Sequence, residues 1–224
     1  MRLKGIIFDG DGVLFDTEKL HVIAWEKVFK DYNIKLNKDD FKEGIGVEDK
    51  TFLKKLTEKG KIEKALNLEK LVFEKNMELI KIVEKENIKV SDKIREVLEF
   101  LKKRYKIAIA SNSDKKFILK VLELSNIYNF FDSIVTRNDV KRPKPFPDIY
   151  IEVIRNLKIP VENIIAFEDS ETGILSAKSS GIFCIGIPTT QPFEKIKIAD
   201  IIVNELNLNN VKKIIKIFEE KNEN

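Results

Sequence analysis

K-G-I-I-F-D-G-D-G-V-L-F-D-T, residues 4–17, is the stretch from which the rest of the chain is read. A short apolar run, Ile6, Ile7 and Phe8, stops at Asp9, and Asp11 follows with Gly10 and Gly12 on either side. An uninterrupted apolar run suits a central strand covered on both faces, as in a parallel sheet. Ligands bind beyond the carboxyl ends of such strands, which is where Asp9 and Asp11 emerge. Glycine allows positive φ and a close approach of a ligand to the main chain. Two adjacent carboxylates repel, and a hard divalent cation with oxygen ligands relieves that repulsion. A plain Asp-Gly turn after a strand is the other reading of the same letters.

Three later segments stand in similar places. S-N-S at 111–113 follows the β-branched run K-I-A-I-A and precedes a helical pattern. K-P-F-P-D at 144–148 lies in a polar loop, and E-D-S-E-T-G at 168–173 ends another apolar run. Taken in order with D-G-D-G-V-L-F-D-T, these resemble the four motifs of the haloacid dehalogenase superfamily. The branch they resemble includes beta-phosphoglucomutase and many sugar-phosphate phosphatases. The resemblance covers nearly the whole chain.

Length and composition agree with one large domain carrying an inserted module. The chain has 224 residues, 43% of them hydrophobic. The 41 basic and 37 acidic residues leave a net charge of +4, with both signs spread along the chain. No basic arm or nucleic-acid motif is present; a small anionic substrate fits this charge balance equally well, and neither nucleic acid nor a membrane is expected as partner. The single cysteine, Cys184, excludes an internal disulfide and reads as a buried core thiol. The N-terminal apolar stretch is too short for a signal peptide or a span, so a cytoplasmic protein is the expectation. A monomer is the default that the resemblance implies.

Periodicity predicts helices over 17–31, 37–43, 47–58 and 67–86, with a break at Gly44-Ile45-Gly46. Asp16 or Thr17 is expected to cap the first of them. No strand pattern appears between residues 16 and 88. The core resumes with helices over 91–104, 114–125, 147–157, 170–181 and 208–220. These alternate with strands over 106–110, 133–136, 163–167, 183–187 and 200–203. Ser170 is expected to cap its helix and Gly181 to end it. The polar tail 219–224 is expected to fray. Alternating strands and helices make a doubly wound, Rossmann-like parallel sheet of class α/β. The expected core is 1–15 with 89–224, and the expected all-helical cap is 16–88. The resemblance implies the same insert, with cap opening to admit substrate and closure to exclude water.

The resemblance implies roles for named residues. Asp9 is the nucleophile that forms an aspartyl-phosphate, and Asp11 the general acid/base. Asp9, Asp11, Glu168 and Asp169 form the set for Mg²⁺, with Asp11 contributing its main-chain carbonyl. Asp11 also separates phosphoryl transfer from dehalogenation and phosphonate cleavage, whose enzymes lack an acid at that place. Ser111 and Asn112, at the N-terminus of a helix, are the phosphate-binding candidates, although Ser and Asn are also ordinary caps. Lys144 is the phosphate-balancing cation; Lys141 and Arg142 compete for that role, and the flanking prolines favour Lys144.

The cap candidates are His21, Lys75 and Lys50. His21 matches the D-T-x-x-x-H-x-x-A-W pattern of the branch, and packing beside Trp25 is its other reading. Lys75 sits within an apolar stripe, where it either reaches the site or snorkels. A mutase resembles G-V-S-R-x-D-S after the Gly46 position, with an Arg that holds a distal phosphate. Here Gly46-Val47-Glu48-Asp49-Lys50-Thr51 has no Arg; Glu48 and Asp49 would repel that group, and Lys50 lacks the bidentate fork. A Mg²⁺-dependent phosphatase of a small phosphorylated metabolite, a sugar phosphate first, is the leading expectation. The alternatives are beta-phosphoglucomutase activity and a non-catalytic binding protein on the same fold.

Overall fold

The computed structural model describes residues 2–221. Six strands form one parallel sheet: β1 (Gly5–Phe8), β2 (Lys106–Ser111), β3 (Ser133–Thr136), β4 (Ile164–Glu168), β5 (Phe183–Gly186) and β6 (Ile201–Ile202). Their spatial order is β3-β2-β1-β4-β5-β6. The strands run outward from β1 in both directions, so the crevice between β1 and β4 is the topological switch point, where open α/β sheets bind ligands.

Helices α1 (Glu18–Asp31), α2 (Lys38–Lys42), α3 (Asp49–Glu58) and α4 (Leu68–Glu86) come between β1 and β2, with α5 (Asp92–Lys102) after them. The remaining helices are α6 (Lys115–Leu124), α7 (Asp148–Leu157), α8 (Glu171–Ser179), α9 (Phe193–Ile196) and α10 (Leu208–Lys221). No strand lies between residues 16 and 105. Among the described residues, no helix is long and apolar enough to cross a membrane.

Strand residues alternate between two apolar layers. Ile6, Phe8, Ile107, Ile109, Ile165 and Phe167 pack with Val97 of α5, Val121 of α6 and Ile214 of α10. Ile7, Ala108, Ala110, Ile164 and Ala166 pack on the other face with Val153 of α7 and Ile174 of α8. Both faces are covered, which is why the strands read as continuous apolar runs. The helical segment has a third cluster of its own, including Trp25, Phe29, Phe52, Leu53 and Leu71. Helix α4 joins the two regions: Leu71 belongs to the third cluster, whereas Leu79, Ile82 and Val83 belong to the first layer.

Several boundaries differ from the periodicity. Ser111 and Glu168 are the last residues of their strands rather than the first of the loops that follow. Thr17 stands at the cap position of α1 but makes no capping hydrogen bond, because its hydroxyl is given to Asp11. Helix α9, only four residues long, has no counterpart in the hydrophobic periodicity. Ser170 does cap α8, accepting from the Gly173 N–H at 3.1 Å, and Gly181 follows that helix at φ +87°. Cys184 is buried. Glu219, Glu220 and Lys221 are helical, and the rest of the tail expected to fray, 222–224, lies outside the described residues.

Candidate active site

Strand register places the acidic residues. Phe8 is level with Ile109 on one side and Phe167 on the other, so Asp9 emerges beside Ala110 and Glu168. Asp169 follows Glu168 out of the sheet. Asp9, Glu168 and Asp169 are buried, and each offers an oxygen within 4.8 Å of the others. Lys144 enters this cluster from the β3–α7 loop. Its Nζ donates to Asp9 Oδ1 and Glu168 Oε1, each at 2.5 Å, and to the Ala110 carbonyl at 2.8 Å. Tyr150 of α7 donates its hydroxyl to the same Glu168 oxygen at 2.5 Å. Glu168 Oε2 is buried without a hydrogen bond. An all-oxygen donor set with one orphaned carboxylate oxygen fits a hard cation such as Mg²⁺.

The Asp11 carboxylate is engaged elsewhere. It accepts from Ser113 Oγ at 2.6 Å and from Thr17 Oγ1, and His21 Nε2 lies 3.4 Å away. Its side chain stands outside the cluster of Asp9, Glu168 and Asp169; the part expected of Asp11 in metal binding is that of its main-chain carbonyl. Gly12, at φ +80°, passes so close to Asp169 that a Cβ there would lie 1.9 Å from Oδ2. Asp169 Oδ2 accepts from Thr190 Oγ1.

The two expected phosphate ligands next to β2 differ in what they do. Ser111 Oγ accepts from the Ser113 N–H at 3.0 Å and is buried at the cavity floor. Asn112 spends its amide on the main chain of Lys144: Oδ1 accepts from the Lys144 N–H at 2.9 Å, and Nδ2 donates to the Lys144 carbonyl at 3.2 Å. Asn112 thus holds the lysine loop, and it also lines the cavity. Arg142 pairs with Asp148 at the surface, so Lys144 is the cation that reaches Asp9.

The helical segment closes the other side of the cavity. His21 Nδ1 lies 2.9 Å from Lys75 Nζ, and Lys75 also donates to Asp49 Oδ1 and Oδ2 at 2.9 and 3.1 Å. Lys75 is 1% exposed, which rules out snorkelling. Arg137, just past β3, donates to Asp49 Oδ2 at 3.0 Å and so ties the sheet edge to α3. Lys50 does not reach the cavity: it pairs with Glu69 at 2.8 Å on the surface, because it lies beyond the inward-facing side of α3. That expectation is corrected, and Asp49 lines the cavity instead.

Burial pushes the Asp9 carboxyl well above its usual 3.8; Lys144 opposes this, while Glu168, Asp169 and Asp11 add to it. Burial and then Glu168 push Asp169 up to about 8. On Asp11, burial is outweighed by His21, Ser113 and Thr17, which hold the carboxyl well below the usual carboxylate range. Lys144 is raised despite burial, by Asp9 and Glu168.

Glu18, Ser113, Arg137, Tyr150 and Thr190 also belong to this constellation, and no sequence motif marks their part in it. Arg137 and Thr190 follow the carboxyl ends of β3 and β5, so the strand-end rule applied to Asp9 could have found them. Ser113 is the last letter of S-N-S. Tyr150 gives no signal, since its ring looks like one more apolar position of α7.

The sequence profile of the family described as haloacid dehalogenase-like hydrolase matches residues 6–187. A phosphorylated carbohydrates phosphatase of Thermotoga maritima is 36% identical over 182 residues, covering 80% of this chain and 82% of the relative. The beta-phosphoglucomutase of Bacillus subtilis is 29% identical over 197 residues, covering 85% of each. The crystal structure of beta-phosphoglucomutase from Clostridium difficile superposes with a TM-score of 0.87 at 25% identity, covering 99% of this chain and 100% of that one.

Proposed function

The chain belongs to the haloacid dehalogenase-like hydrolases, and from that premise we propose that it is a Mg²⁺-dependent phosphatase of small phosphorylated carbohydrates. The observation that carries this reading is the meeting of Asp9, Glu168, Asp169 and Lys144 at the β1–β4 crevice, with Asp11 held beside them by separate partners. The named activity of the Thermotoga maritima relative supports the substrate class.

Asp9 is the nucleophile. A carboxylate oxygen attacks phosphorus, the bond to the leaving oxygen breaks, and the electron pair leaves with that oxygen. Asp11 donates the proton that the leaving oxygen needs. Its present partners favour the ionised form, and the negative phosphate beside it raises its proton affinity. Asp11 then takes a proton from water, the water oxygen attacks phosphorus, and the Asp9–phosphorus bond breaks to restore the carboxylate. Lys144 balances Asp9 and the phosphoryl oxygens, and Ser111 with the α6 N-terminus holds those oxygens. Asp9, Asp169 and Glu168, with the Asp11 main chain, would hold Mg²⁺. When bound, that ion neutralises charge developing on the phosphoryl group. Residues 16–88 act as the cap, and His21 and Lys75 join it to Asp11.

The mutase alternative needs a second anion clamp. Lys75 and Arg137 are the cations on that side, and Asp49 holds both. Phosphorus NMR with Mg²⁺, beta-glucose 1-phosphate and a trace of glucose 1,6-bisphosphate separates the two. Inorganic phosphate that disappears in Asp9→Asn supports the phosphatase; glucose 6-phosphate without inorganic phosphate supports the mutase. If neither product forms, a panel of phosphorylated carbohydrates identifies the substrate, and no phosphate release from any of them would sink the phosphatase reading.

A further inference from the structure

Resting on the phosphatase reading, we infer that Glu18 and Asp49 decide which esters enter the cavity. They admit monophosphates whose leaving group carries hydroxyls and refuse leaving groups with a second anionic group.

The argument is an accounting of charge at the cavity wall. Among the described lining residues, Lys144 is the sole Lys or Arg, and it is committed to Asp9 and Glu168. Lys75 and Arg137 stand behind Asp49, which lines the cavity and accepts hydrogen bonds from both. The surface a leaving group meets there is a carboxylate, with its cations hidden. Glu18, on the first turn of α1, also lines the cavity, and no described residue donates a hydrogen bond to its carboxylate. It is therefore an acceptor available to a ligand.

Trp25, Phe41 and Phe52 also line the cavity. Aromatic faces take the C–H surface of a sugar ring, and carboxylates take its hydroxyls. A second phosphate or a carboxylate would be desolvated against like charge, and repulsion of that kind supplies specificity. The two residues act by different means. Glu18 supplies acceptors, whereas Asp49 cancels Lys75 and Arg137, two cations that would otherwise bind an anion.

The test uses hydrolysis of p-nitrophenyl phosphate with Mg²⁺ as a reporter and reads competitive inhibition. The probes are glucose 6-phosphate, 6-phosphogluconate and fructose 1,6-bisphosphate. 6-Phosphogluconate keeps most of the hydroxyls of glucose 6-phosphate and adds a carboxylate. The inhibition constant for glucose 6-phosphate is expected to be about tenfold lower than for either anionic probe. Asp49→Ser is expected to shrink that ratio toward one by exposing Lys75 and Arg137, and Glu18→Gln to shrink it in part. Glu18→Gln removes no protein hydrogen bond, so it keeps the test open if Asp49→Ser fails to fold.

A wild-type ratio below about threefold overturns the inference, as does a wild-type ratio preserved in every folded variant. Absence of any aryl phosphate turnover leaves the phosphatase reading to the carbohydrate panel above. Calorimetric binding of the three probes to the wild-type protein then reads the same ratio.

Discussion

Gly173 has no side chain where Glu168 has its carboxylate: a Cβ on Gly173 would lie 1.9 Å from Glu168 Oε2. The glycine of E-D-S-x-x-G therefore answers to the acid five residues before it and not to its own backbone, which is ordinary helix. Gly173→Ala is expected to displace Glu168 and to cost about 1–3 kcal/mol through overpacking, despite the better helix propensity of Ala. Denaturant unfolding with and without Mg²⁺ checks this. The variant should also lose the stabilisation that Mg²⁺ gives the wild type, and equal stability with full Mg²⁺ response would refute the packing argument.

Lys144 is the counter-ion of two buried acids. Lys144→Met leaves Asp9 and Glu168 without a cation, and removing one partner of a buried pair costs roughly 3–5 kcal/mol. The loss should be larger at pH 8 than at pH 5, where the carboxyls can take up protons. Lys144→Arg is not expected to restore activity, because a planar fork does not fit the space of a single ammonium. Unfolding midpoints at the two pH values, with turnover, are the measurements.

The raised carboxyls make the metal-free protein sensitive to base. Asp169 is pushed up to about 8 from 3.8, so the folded state holds a proton that the unfolded chain releases between those values. Stability is then fully present below about pH 4 and is lost as pH rises toward 8, with Asp9 acting in the same direction. Each such group contributes a slope of about 1.4 kcal/mol per pH unit within its window. Mg²⁺ binding needs the ionised forms and displaces those protons. Its stabilising effect should therefore grow from pH 6 to pH 8. Thermal unfolding across that range, with and without Mg²⁺, tests the sign.

Asn112 is expected to act on catalysis through the Lys144 loop. Asn112→Ala removes two hydrogen bonds to that main chain and should cost about 1–3 kcal/mol. Its effect should fall on kcat, through a misplaced Lys144, more than on KM. A rise in KM at unchanged kcat would instead mark Asn112 as a direct phosphate ligand.

Much of this site was readable before any fold was known, for a definite reason. Asp9, Ser111 and Glu168 each end an apolar run, and in a parallel sheet the carboxyl ends of all strands lie on one edge. Local pattern alone therefore collects them. The same logic fails for residues whose partners are remote in the chain. The grip of Asn112 on residue 144 is invisible in S-N-S because it crosses from one loop to another. Lys50 looked like a cap cation because nothing local says which side of α3 faces inward. Thr17 looked like a helix cap, but the Asp11 carboxylate claims its hydroxyl.

By itself, the sequence determined the parallel α/β class, the helical segment between the first two strands and the acids at the strand ends. Hydrophobic period and strand-end chemistry are properties of neighbouring residues. Only the tertiary structure decided the side-chain partners: Lys144 with Asp9 and Glu168, Tyr150 with Glu168, and Asp49 between Lys75 and Arg137. These pairs join residues from separate elements, and the distance between two side chains depends on how whole layers pack, which no local pattern records.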